Sequence, residues 1–103
     1  MLSMSGEDLS FAAPPFKPEE ALQRLRRELR ELGLSEREGL FERRGLAIAR
    51  VRIDGAQLAA AIVKRPSRAG PQWQARALAS SAALRDFTSE LKRALQTWGD
   101  RDE

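Results

Sequence analysis

The 103-residue chain contains no cysteine and no histidine. Without cysteine there are no disulfides, no thiol nucleophile and no thiolate metal ligand, and the composition fits a reducing cytoplasm, the expected location. Without histidine no imidazole can ligate zinc, act as a base near neutral pH, or complete a Ser/His/Asp triad. No apolar run approaches the roughly 18–20 residues that span a bilayer, so no transmembrane helix is expected. The opening MLSMSGEDLSFAAPPF has no basic start, no continuous apolar stretch, and Glu7-Asp8 within it, so it does not read as a signal peptide.

Acidic residues are missing from one long interval. Between Gly55 and Arg85 there is none, while Lys64, Arg65, Arg68, Arg76 and Arg85 fall there. The net charge of +3 therefore hides a basic middle between acidic ends, Glu7-Asp8 and Asp100–Glu103.

The first sixteen residues are expected to form a flexible arm, since Ser, Gly and Pro14-Pro15 do not nucleate a helix; Phe11 and Phe16 offer anchors onto a domain over residues 17–99. Pro18 suits a first helical turn, with Glu19 and Glu20 near the positive end of the dipole. Leu22, Leu25, Leu29 and Leu32 then form one stripe. Gly33 reads as a left-handed stop, with Leu34 folding back on the last turn.

Leu40–Arg43 reads as a short edge strand and Arg44-Gly45 as a turn. Leu46–Ile53 and Ala56–Arg65 flank Asp54-Gly55, a strong hairpin signal. A two-residue turn there places Ile53 opposite Ala56, Val51 opposite Leu58, Ala49 opposite Ala60 and Ala47 opposite Ile62, all apolar and on one face. After a loop at Pro66–Pro71, the stretch from Gln72 or Trp73 to Leu78 reads as a further strand. Ser80 or Ser81 can cap a second helix, whose stripe is Leu84, Phe87, Leu91, Leu95 and Trp98. Gly99 is its expected stop, and Asp100–Glu103 the expected frayed tail.

The fold class expected is α+β: helix, an antiparallel β-meander of three or four strands, helix, with both helices on one sheet face. This order over residues 18–98 resembles that of double-stranded-RNA-binding domains. Where those domains place a lysine cluster at the start of their second helix, this chain has Ser80-Ser81-Ala82-Ala83, so the resemblance implies the layout and not the activity.

Two binding surfaces follow. With the helices on one face, Leu46, Ile48, Ala61 and Val63 would lie exposed on the other, rimmed by Arg50, Arg52 and Arg65; such an apolar patch suits a protein partner or a second copy of the chain. The set Leu46, Ile48, Arg50, Arg52, Val63 and Arg65 is the expected contact surface. The alternative is a nucleic-acid contact using Arg50, Arg52, Lys64, Arg65, Arg68, Trp73 and Arg76, with phosphates neutralised by the cations and Trp73 as a stacking surface. Catalysis is not expected. Ser80-Ser81 has no base to activate it, Asp86 and Glu90 belong to a solvated helix flank, and Glu36, Glu38 and Glu42 are interleaved with arginines that pair with them. No cofactor and no metal are expected.

Overall fold

The computed structural model describes residues 15–101. Its order is helix α1 (Pro18–Glu31), strands β1 (Ser35–Arg37), β2 (Leu40–Arg43), β3 (Leu46–Asp54), β4 (Gln57–Val63) and β5 (Trp73–Leu78), then helix α2 (Ser81–Arg101). The strands form one antiparallel meander in chain order, β1 and β5 at its edges. The α+β class holds, with five strands rather than three or four. Strand β2 is consequently interior, not an edge.

Each helix buries the stripe its leucine spacing predicts. Leu25 and Leu29 of α1 and Leu84, Phe87, Leu91 and Leu95 of α2 share one core with Phe41, Ala49, Val51, Leu58, Ala60, Ile62 and Leu78 of the sheet. Phe16 packs against this core, whereas Phe11 lies outside the described residues. The end of α1 is a Schellman motif: Gly33 N–H donates to Arg30 O at 2.9 Å and Leu34 N–H to Leu29 O at 3.1 Å, with Gly33 at φ 92°. At the start of α2 the Ser80 hydroxyl accepts from Ala83 N–H at 3.1 Å. Helix α2 does not stop at Gly99 but continues to Arg101. Gly99 lacks the left-handed φ that a stop requires.

Strand β1 joins the fold through Glu36, which faces α1 and meets Arg26 Nε at 2.9 Å and Arg30 at 3.9 Å. Its turn to β2, Glu38-Gly39, has both residues at positive φ (53° and 84°), and the β2–β3 turn, Arg44-Gly45, repeats this at 56° and 79°. Two central residues at positive φ define a type I′ turn, the form whose twist matches antiparallel strands.

The β3–β4 hairpin turns at Gly55-Ala56, not at Asp54-Gly55. Asp54 pairs with Gln57, Ile53 with Leu58, Val51 with Ala60 and Ala49 with Ile62. Relative to the sequence expectation the register moves by two residues, which preserves every face from position 49 onward because the side-chain period is also two. Gly55, at φ 64°, is the first central residue, where a type II′ turn favours glycine.

A second irregularity does change faces. Phe41 pairs with Ala49, but the next residue, Glu42, pairs with Ala47, leaving Ile48 as an extra residue of β3. This β-bulge brings Ile48 in beside Ala49 on the helix-covered side. Ahead of it the alternation is inverted: Leu46 joins the helix side and Ala47 the open side.

Candidate binding surface

Both helices lie on one side of the sheet, so no other element of the described residues covers the opposite face. Across it run Arg37 and Leu40, then Arg50 and Arg52, then Ala59, Ala61 and Val63, and finally Trp73, Ala75 and Ala77, placed by the pairings of the four ladders. Of the residues expected to form an apolar contact surface, only Arg50 and Arg52 stand exposed on this face. Ile48 is 1% exposed and belongs to the core. Its expected exposure is corrected by the bulge. Leu46 turns with it and lines a groove at the end of the sheet beside Trp98, where Lys64 and Arg65 also lie. Val63 does occupy the open face but is 2% exposed, and Ala61 beside it is 4% exposed. Their expected exposure is corrected by Trp73 and Arg50.

Trp73 is the cross-strand neighbour of Val63. Arg50 is the neighbour of Ala61, and Ala61 in turn of Ala75. The Arg50 guanidinium lies 4.4 Å from the Trp73 ring centroid, a cation–π contact that bridges β3 and β5 over β4. The apolar floor expected to need an outside partner is thus closed by two side chains of the same chain.

What remains open is a shallow hollow of about 370 Å³ bordered by Glu38, Leu40, Arg50 and Arg52, with Ala59, Ala61 and Ala75 in its floor. Most ion pairs of the described residues lie on the helix side. There Arg24 pairs with Glu28, Arg26 and Arg30 with Glu36, and Arg76 with Glu90. On the open face Arg37 pairs with Glu42 at 3.0 Å, but among the described residues Arg50 and Arg52 have no carboxylate partner. Lys64, Arg65 and Arg68, beyond the end of β4, are likewise without one.

Two members of the nucleic-acid set are committed elsewhere. Arg76 points to the helix side, where its Nε donates to Glu90 Oε1 at 3.1 Å and its Nη2 to Glu90 Oε2 at 2.6 Å. Hydrogen bonding to Glu90, reinforced by that carboxylate's charge, outweighs desolvation and raises the guanidinium pKa further. Trp73 has its ring stacked under Arg50.

Of the carboxylates weighed for chemistry, Glu36, Glu42 and Glu90 are in ion pairs, and no group of three metal-ligating side chains occurs among the described residues. No helix of the described residues is long and apolar enough to cross a membrane. The residues that sequence reasoning missed are Leu40, Ala59 and Ala75 on the open face, plus Arg43 and Trp98 in the groove. Alanine carries little pattern signal on either face, and the two groove residues meet Leu46 only because of the bulge. Comparison with protein-family models, with curated proteins and with solved structures finds no match.

Proposed function

We propose that the protein is a small non-enzymatic binding domain that makes a transient contact with an acidic protein partner across its uncovered sheet face. The observation that carries this reading is the placement of Arg50 and Arg52 beside an alanine floor. Neither makes an ion pair among the described residues, although Glu38 borders the same hollow, whereas Arg24, Arg26, Arg30 and Arg76 on the helix side pair with Glu28, Glu36 and Glu90. Unpaired cations around a flat apolar floor complement a helix whose apolar stripe is edged with acids. The sheet's own inner face supports the analogy: Ala49 and Ala60 there are covered by leucines of α1 and α2.

Area supports a transient rather than a permanent contact. Five strands about 4.8 Å apart and some six residues long at about 3.3 Å each give roughly 500 Å² of face. A standard stable interface takes about 800 Å² per partner. Affinity would then depend on charge, and the association rate would fall with salt.

Amide chemical-shift mapping tests the reading. A helical peptide with a leucine stripe flanked by glutamates is titrated into the labelled chain at low salt. The expected shifts fall on Leu40, Arg52, Ala59, Ala75 and Ala77, and Arg52→Glu together with Ala77→Glu removes them. Shifts confined to the helices, or none, overturn the proposal. A duplex oligonucleotide run alongside examines the second reading, favoured by the unpaired cations from Arg50 to Arg68. If the duplex alone moves those resonances, with binding that weakens steeply between about 50 and 200 mM salt, the ligand is nucleic acid.

A further inference from the structure

A second site, independent of the open face, lies where the sheet meets the end of α2. It is a groove of about 360 Å³ between the β2–β3 turn, the Lys64-Arg65-Pro66 segment and Trp98. Its floor is apolar, made by Leu46, Ile48 and Trp98. Its rim holds Arg43, Lys64 and Arg65 together with Arg44, and no carboxylate of the described residues lines it.

Three features distinguish this groove from an ordinary basic surface. Arg43 is held in place rather than solvated, because its Nη1 donates to Leu95 O at 3.3 Å while its Nη2 lies against Gly99. Among the described residues it has no acid partner, and neither do Lys64 and Arg65. The guanidinium is therefore oriented with donors to spare beside two further cations. Like charges gathered around one small apolar hollow repel each other, a cost that an anion removes.

We propose that this groove binds a phosphomonoester carried on an apolar or aromatic body. The cations point to a dianion, since a phosphate bears close to two charges above its second pKa of about 6 and offers three acceptor oxygens to Arg43, Lys64 and Arg65. The floor of Leu46 and Trp98 takes the ester group, and the groove's size suits one ring with its anionic head.

Phenyl phosphate is the probe. In a Trp73→Phe background Trp98 is the only tryptophan and reports from the groove. The expected result is a saturable change in its fluorescence, with affinity about tenfold above that for inorganic phosphate or benzoate, and rising as pH passes upward through about 6. Lys64→Gln with Arg65→Gln should weaken binding at least about tenfold while leaving the circular dichroism unchanged. Phosphorus NMR of phenyl phosphate with the unsubstituted chain repeats the measurement without relying on Trp73→Phe. Absence of saturation up to about 10 mM overturns the proposal, as does equal binding of benzoate or indifference to the double substitution.

Discussion

Arg50 and Trp73 stand on strands separated by β4, yet the guanidinium lies 4.4 Å from the indole centroid. Two strand spacings amount to about 10 Å, so the contact exists only because both side chains lean toward each other over β4. The residue between them is Ala61. A larger side chain there would hold the pair apart. Small size in the middle of the face is thus what lets the arginine and the tryptophan close over Val63.

That geometry predicts a measurable coupling. A double-mutant cycle with Arg50→Ala and Trp73→Leu, read by urea denaturation, should give about 0.5–1 kcal/mol, the range of an exposed cation–π contact. Ala61→Leu should lose the same coupling without touching either partner. If the cycle returns zero, the stacking adds nothing to stability and the burial of Val63 has another source.

The bulge predicts that Ile48 behaves as core. Ile48→Ala should destabilise the fold by about 2–5 kcal/mol, and Ile48→Asp should abolish the cooperative melt. Ala75→Asp, on the exposed side of β5, should change stability by no more than about 0.5 kcal/mol. A folded Ile48→Asp chain would mean that the bulge is absent and that position 48 faces outward.

The outcome at position 48 shows where the sequence is legible. Leucine spacing locates both helices and their buried faces, since burial of a 3.6-residue stripe leaves a direct trace in the order of residues. Alternation from Val51 through Ile62 likewise fixes which side of the hairpin is buried, even though the turn lies one residue later than Asp54-Gly55 suggests. A bulge leaves no such trace. It is a choice between two pairings of Leu46–Ala49, settled by how Phe41, Ile48 and the α2 side chains fill space together, and it inverts every side chain ahead of it. Strand β1 was hidden for a different reason. Its residues Ser35, Glu36 and Arg37 have no apolar alternation, and the strand is held by the Glu36 carboxylate under α1.

Two glycines in equivalent turns should respond differently to alanine. Gly39 accepts a hydrogen bond from Val51 N–H at 3.0 Å, and a Cβ at position 39 would come within 2.8 Å of Val51 O. Gly45 has a similar φ, but a Cβ there meets nothing. Gly45→Ala should cost only the left-handed penalty of about 1–2 kcal/mol. Gly39→Ala adds a backbone clash and should cost clearly more, by thermal or urea denaturation. Equal losses would show that β3 yields freely at Val51.

Arg76 guards the edge of the sheet. Strand β5 is six residues long and, among the described residues, has no partner on its outer side, an arrangement that invites pairing with another chain. Its one charged residue turns inward and is clasped by two hydrogen bonds to Glu90. An incoming strand would have to desolvate that pair, which is a documented way of blunting an edge. Because the raised pKa keeps Arg76 charged, its contribution is fully present below the unfolded pKa and is lost only in strong alkali. Between about pH 5 and 9 Arg76 therefore introduces no pH dependence of its own. Both side chains are about one-third exposed, so the pair adds no more than about 1 kcal/mol to stability. Arg76→Val should accordingly leave the melting temperature within a few degrees of the original, yet raise the concentration-dependent light scattering of the folded chain. Arg76→Lys, which keeps the inward charge, should not. If Arg76→Val stays monomeric at the same concentration, the edge is protected by something other than this ion pair.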